Sequence, residues 1–400
     1  MYQFRSIRTF SFSIALILLA GYHICTHRTQ AKASESTFPA DEKLPVESFD
    51  SKASLADQDS VDILLKAGFK LKRAANGEVS EVDLTDAQID SQIVDALAEL
   101  ENLGILRLRR TNISDEDLGK LEGLTRLRMI DLRNTNITDE GLSSLAKLKS
   151  LVDIQLEKSK ITDSGVAKLA DLKLKSINFN YCTTISNESL RVIGAIPTIE
   201  QIQLDYTKID DKGMAALANA KRLKRLRIRG TDVTGEGLAH LSNLTEIARL
   251  NLRDSSVDDA GLEVISAMPK INYLDISECR LATPEGIAKI GKLPGLEYLS
   301  LWETKTNDAT MESLGNLRNL QTLILKATNI SDQSLPALLK MTNLVDLDVA
   351  GTQLSDDSFL ALGKLPRLKK MNVANTRIGF DVIDELSDSR EDLQVIEFEN

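Results

Sequence analysis

The sequence predicts an α/β solenoid of about fourteen coils of roughly 24 residues each, with a parallel sheet on the concave face and helices on the convex face. Three observations predict it. An apolar-x-apolar strand signature recurs from Val82 to the end of the chain. A small polar residue follows each signature at a fixed offset. A capping residue and an amphipathic helical segment come next, before the following signature.

The strand signature begins at Val82/Leu84, Leu106/Leu108 and Ile130/Leu132. It runs on to Leu347/Val349, Met371/Val373 and Ile396/Phe398. Successive signatures are 24 residues apart, except for one step of 23 and three of 25. The period of two within each signature sends alternate side chains inward. Three residues beyond the second apolar position stands Thr111, Thr135, Ser159, Cys182 or Thr207, and so on to Thr376. A buried turn leaves backbone groups in need of partners, which a hydroxyl can supply. An aliphatic residue follows two positions later, as at Ile113, Ile137, Ile161 and Ile209. The helix starts resemble Thr138-Asp139-Glu140-Gly141-Leu142, with apolar Leu142, Leu145 and Leu148 at helical spacing. The recurrent Asp115, Asp139, Asp163, Asp211, Asp259, Asp332 and Asp356 are assigned to capping these helices. One such coil cannot bury its own apolar face, but stacked coils share a continuous core. The low aromatic content, 4% against 42% hydrophobic residues, suits thin aliphatic layers.

The N-terminal region divides differently. Arg5 and Arg8 precede an apolar run from Phe10 to Cys25, and Ala31-Lys32-Ala33 offers a small-x-small cleavage site. Residues 1–33 therefore read as a secretory signal cut after Ala33, with an uncleaved signal anchor as the alternative. Residues 34–54, rich in Ser, Glu, Asp, Lys and Pro, read as a flexible linker. The repeat domain spans 55–400, and residues 55–84 form its cap. The cap comprises an amphipathic helix over Ala56–Lys66 and a hairpin in which Asn76-Gly77 joins two strands, both turn residues taking positive φ. The last strand, Val395 to Phe398, has no covering segment evident beyond it.

The segment Leu127-Arg-Met-Ile-Asp-Leu-Arg-Asn-Thr-Asn-Ile-Thr-Asp-Glu-Gly-Leu142 resembles the leucine-rich-repeat family, in particular the cysteine-containing subtype found behind F-boxes. The export signal and the helix-hairpin start are similar to those of secreted bacterial leucine-rich-repeat proteins. The resemblance covers about residues 56 to 400. It implies the horseshoe fold. The motif encodes scaffold, so it implies little about the ligand.

Few residues invite catalytic chemistry. After signal cleavage one histidine remains, His240, on a helix of the convex side. Cys182 and Cys279 occupy the Thr/Ser column and read as buried structural residues. There is no Cys/His zinc spacing and no Gly-rich phosphate loop. Catalytic, cofactor-binding and metal residues are therefore expected to be none. The net charge of −10 argues against a nucleic-acid partner.

Function should lie where the variable strand positions depart from the repeat. Equivalent positions stack at about 4.8 Å from coil to coil, so columns can be read directly. One column runs Arg225, Arg249, Tyr273, Tyr298. The next runs Gln203, Arg227, Asn251, Asp275, Ser300. A third runs Asp205, Arg229, Arg253, Ser277, Trp302. Like charges side by side on a sheet are unfavourable, and Arg, Tyr and Trp are enriched at binding hot spots. The scaffold shows no evident need for Arg225 beside Arg249 or for Arg229 beside Arg253, so Arg225, Arg227, Arg229, Arg249, Arg253, Tyr273, Tyr298 and Trp302 form the candidate partner-binding patch. Asp205 and Asp275 can offset part of the charge. A second group, Arg107, Arg109 and Arg133, is interleaved with Asp83, Asp131 and Glu157 and reads as self-compensated. The expected function is exported, non-catalytic recognition of a protein or an acidic polymer through the concave face, with membrane attachment only through an uncleaved N-terminal anchor. The alternatives are an envelope component acting by self-association or wall attachment, and a substrate adapter of the F-box type.

Overall fold

A computed structural model describes residues 55–398. The signal or anchor over 1–33 and the linker over 34–54 lie outside the described residues. Fifteen strands form one open sheet in strict chain order. The first two, Lys70–Arg73 and Val79–Asp83, pair antiparallel. Every later pairing is parallel, from Val79–Asp83 against Ile105–Arg107 to Lys370–Asn372 against Gln394–Ile396. The fourteen strands from Val79–Asp83 onward are the fourteen expected coils, each but the last followed by a short helix or turn that returns the chain to the next strand.

The cap follows from its sequence. The helix Leu55–Lys66 buries Val61 and Leu64 against the first coil. The strand Lys70–Arg73 presents Lys70, Lys72 and Arg73 to solvent. Charged side chains on an edge strand discourage further pairing. The turn differs from the expected two-residue form. Ala74 and Glu78 close a wider loop through a 2.8 Å backbone bond, and of the Asn-Gly pair only Gly77 takes a positive φ, +89°. Asn76 instead uses its side-chain oxygen to accept the Glu78 N–H.

Each parallel strand centres on the first residue of its signature, such as Leu106, and the second, such as Leu108, opens the turn. The ladder continues through that turn: the Leu108 N–H donates to Asp131 O and the Arg110 N–H to Arg133 O. The chain then turns through a residue with left-handed φ, directly before the small polar column. Arg110, Asn134, Lys158, Tyr181, Tyr206, Gly230, Asp254 and Glu278 all occupy this position. The small polar residue closes the turn as expected. The hydroxyls of Thr111, Thr135 and Thr207 donate to the carbonyls of Leu108, Leu132 and Leu204 at 2.6–2.8 Å. Cys182 and Cys279 are buried and unoxidised, and each donates its S–H to a carbonyl of the preceding coil, Leu156 O and Leu252 O, at 3.1 Å. Burial pushes the Cys279 thiol up to about 12.

The aspartate column has a different task from the one expected. The helix caps are the residues just before it: Thr138, Thr162 and Thr234 accept the N–H of Glu140, Ser164 and Glu236. The aspartates bind the next coil instead. Asp139 accepts the backbone N–H of Thr162 at 2.8 Å and its hydroxyl at 2.6 Å. Asp115 holds Thr138 in the same way, Asp163 holds Ser186 and Asp211 holds Thr234. The column is a chain of clasps between neighbouring coils.

The C-terminal coil departs from the predicted register. Met371 pairs with Val395, so the last step is 24 residues rather than 25. Ile396 and Phe398 were expected inward. Val395 packs against the core in their place, and Phe398 is 74% exposed. A slip of one residue reverses which face each side chain takes. Arg390 closes the end of this coil, donating to the carbonyls of Gly363, Leu365 and Leu368 at 2.9–3.1 Å.

Candidate functional site: the sheet face from Tyr181 to Trp302

Strand register brings the predicted columns together as expected. Arg225, Arg249, Tyr273 and Tyr298 are consecutive Cα partners, as are Arg227, Asn251, Asp275 and Ser300. The side chains then sort into three groups with different physics.

The first group centres on Asp205, which is 0% exposed. Its carboxylate takes the Arg227 Nε at 2.5 Å and lies 3.3 Å from the Arg229 Nε, and it accepts the Arg229 backbone N–H at 3.0 Å. The Arg229 Nε is an ion-pair contact outside hydrogen-bonding geometry. Burial works against the Arg229 charge, but Asp205 outweighs it and holds the guanidinium above its ordinary range. A buried carboxylate must be paired, so the scaffold does need these two arginines. The expectation that it has no need of Arg229 is corrected, and Arg227 shares the same structural role.

The second group is aromatic. Arg253 lies over the Trp302 ring at 4.3 Å and pairs with Glu278 at 2.6 Å, while Lys326 approaches the same ring at 5.3 Å. The Trp302 Nε1 is shielded and has no hydrogen-bond partner among the described residues. Two tyrosines that the sequence reading passed over extend the patch towards the N-terminus. Tyr181 and Tyr206 stack with ring centroids 5.0 Å apart. The Tyr181 hydroxyl receives Arg229 at 3.5 Å, and the Tyr206 hydroxyl reaches Asp254 at 3.3 Å. Tyr206 crosses Gly230, where φ is +60° and a Cβ would stand 2.3 Å from the ring. The signal was available, since both tyrosines directly precede the small polar column at Cys182 and Thr207.

The third group lies along the other side of the strands. Tyr273 and Tyr298 stack with ring centroids 4.1 Å apart and planes nearly parallel, 7° apart. Arg249 lies over the Tyr273 ring at 4.9 Å. Burial, and then the neighbouring Arg225 charge, pull the Arg249 guanidinium below its ordinary range. Burial likewise pushes the Tyr298 hydroxyl up. Arg225 makes no ion pair among the described residues.

The other expected features fall as follows. Arg107 pairs with Glu81 at 3.0 Å and Arg133 with Asp131 at 2.7 Å, so those two are compensated, while the buried Arg109 Nε has no hydrogen-bond partner among the described residues. At the acidic end, Asp346 pairs with Lys370. His240 is exposed just past the helix Gly235–Ala239. Among the described residues no group of His, Cys, Asp and Glu is placed to hold a metal ion.

A stack of strand-turn-helix coils joined into one open parallel sheet, with its variable residues displayed on that sheet, defines a repeat scaffold that presents a surface. The fold is that of a leucine-rich-repeat solenoid. A leucine-rich-repeat family model matches residues 124–146. Among solved structures, the chain is similar to an internalin from Listeria monocytogenes, with 18% identity, 86% of this chain and 94% of that chain covered, and a TM-score of 0.53. It is also similar to the structure of the Rad7 and Elc1 complex in yeast, with 17% identity, 76% and 84% covered, and a TM-score of 0.56. No curated protein matches it in sequence. At these identities the likeness shows the fold.

Proposed function

We propose that this protein is an exported, non-catalytic recognition module that engages a protein partner through the sheet face between Tyr181 and Trp302. The observation that carries the reading is the concentration of arginine and aromatic side chains over adjacent strands. Such residues supply most of the energy at protein interfaces. The fold supports it too, because stacked coils present extended surfaces suited to binding. The similar yeast structure is itself of a complex, Rad7 with Elc1. Export rests on the N-terminal sequence, residues 1–33. Among the described residues no helix is long and apolar enough to cross a membrane.

The test is a photo-crosslinking amino acid placed at Gln201, on the sheet face beside Arg225, and separately at His240, on the helical side. Protein adducts should form from Gln201 and not from His240 in the exported fraction of the source cells. Adducts from His240 alone would reject the sheet face as the recognition surface.

Self-association is a second reading, favoured by one observation. Gln394–Ile396 is paired on one side only among the described residues, and Phe380 and Phe398 are each 74% exposed near it. Sedimentation across concentration decides this reading, since a strict monomer excludes it.

A further inference from the structure

One motif of the cap lies outside the recognition surface. Asn76-Gly77 is the chain's single Asn-Gly pair. It sits in the loop between Lys70–Arg73 and Val79–Asp83, and both of its residues are exposed. A two-residue hairpin turn uses both positions at positive φ, but of this pair only Gly77 takes one. Turn geometry therefore leaves the asparagine unexplained.

The Asn76 side chain folds forward along the chain. Its Oδ1 accepts the Glu78 N–H at 3.2 Å, and its Nδ2 donates to the Glu78 Oε2 at 2.9 Å. Both contacts span the Gly77 peptide, so the side-chain carbonyl is held beside the Gly77 nitrogen. A donor on Oδ1 also stabilises the negative charge that forms there when a nucleophile adds to Cγ. Gly77 brings no side chain into the approach, and nothing lies within 4 Å of the place a Cβ would take. The Gly77 N–H donates to Ala74 O at 2.9 Å. That is one turn bond in an exposed loop, where local opening costs little. No other asparagine of the chain precedes a glycine.

We infer that Asn76 is a site of spontaneous deamidation whose products loosen the N-terminal cap. The Gly77 nitrogen bonds to the Asn76 Cγ, the Cγ–Nδ2 bond breaks, and ammonia leaves with the proton that Gly77 gives up. Water then opens the five-membered succinimide at either carbonyl. One opening leaves aspartate at position 76, the other isoaspartate, whose backbone is longer by one atom. The aspartate faces the Glu78 carboxylate where Nδ2 had donated to it, and Glu78 is only 7% exposed. Like charges so close repel. The isoaspartate lengthens the loop that the 2.8 Å bond from Ala74 N to Glu78 O closes. Both products also disturb the contact from Arg73 to Gly77 O. The edge strand Lys70–Arg73, which the loop ties to the first coil, is the element released. The cap thus carries a mark of the chain's age at the one end of the stack that a helix and hairpin cover.

The test ages the folded full chain in mildly alkaline buffer and follows the tryptic peptide Ala74–Arg107 by mass spectrometry. The peptide should gain one mass unit at Asn76 and become a substrate for an isoaspartyl methyltransferase. Asn102, which precedes Leu103 in the same peptide, should stay intact and serves as the internal control. Amide exchange should then be faster in Lys70–Arg73 of the converted chain and unchanged in Gln394–Ile396. The variant Asn76→Asp should reproduce that exchange pattern without ageing, and adding Glu78→Gln to it should restore much of the protection by removing the facing charge. Circular dichroism checks that each variant is folded. If the urea-unfolded chain converts while the folded chain does not, the loop protects Asn76 and the inference is overturned. Conversion of Asn102 as fast as Asn76 overturns the role given to the loop. Conversion that leaves exchange in Lys70–Arg73 unaltered overturns the loosening of the cap.

Discussion

Asp205 sets the order of importance among the arginines of the sheet face. It is fully buried with two guanidiniums against it, and it also receives the backbone N–H of Arg229. Removing one member of a buried charge group leaves the others uncompensated, which costs about 3–5 kcal/mol. Asp205→Ala should therefore lower the unfolding free energy by roughly that amount in urea titration. A loss below about 1 kcal/mol would show the pairing to be a surface contact of little weight. The same reasoning limits what charge reversal at Arg227 or Arg229 can reveal, because those variants disturb folding as well as binding. Arg225 and Arg249 carry no such structural duty towards Asp205.

Between neighbouring elements, the clasps between coils make stability depend on pH. For Asp163 and Asp308, burial opposes ionisation, but hydrogen bonds from Ser186 and Ser189, and from Ser331 and Ser334, outweigh it and hold both carboxyls below the usual range. The Ser358 hydroxyl does the same for Asp332, assisted by the Ser355 N–H. A carboxyl whose pKa is lower folded than unfolded adds stability that is fully present above the unfolded value, about 3.9. That stability is lost as the pH falls through the lowered folded value. Thermal midpoints should accordingly hold level from neutral pH to about 5 and fall below about 4. Asp332→Asn should flatten the fall. An acid limb identical in that variant would assign the pH dependence to other groups. Amide exchange should show the loss first between adjacent coils, since the clasps join one helix start to the next.

Across the whole molecule, each coil is stabilised mainly by its two neighbours, so the ends are the weak points. The N-terminal end has its helix and its lysine-bearing edge strand. The last coil depends on Arg390, whose guanidinium satisfies three return-loop carbonyls and pairs with Asp392. Arg390→Ala should raise amide exchange in Phe380–Ser389 and Gln394–Ile396 while leaving Ile105–Arg107 as protected as before. Uniform loss of protection along the sheet would mean that the coils unfold as one unit and that Arg390 plays no local part.

The repeat was legible because it is written in period. Apolar residues at fixed spacing dictate strand, turn and stacking without reference to anything distant, so the columns of the sheet face could be read from the chain directly. The hydroxyl column and the buried Cys182 and Cys279 followed from the same spacing. Three things waited for the tertiary structure, each because it depends on a neighbour in space. The aspartates clasp the next coil rather than their own helix, since a side chain at the start of one helix reaches the cap 23 residues on. The last strand slips by one residue, since no further coil among the described residues pins its register. Most consequentially, the arginine patch divides. Burial of Asp205 turns Arg227 and Arg229 into structural residues, Glu278 takes Arg253, and Arg249 lies over the Tyr273 ring. Sequence placed all five arginines on one face; only the three-dimensional pairing of charge decided which of them the scaffold itself uses.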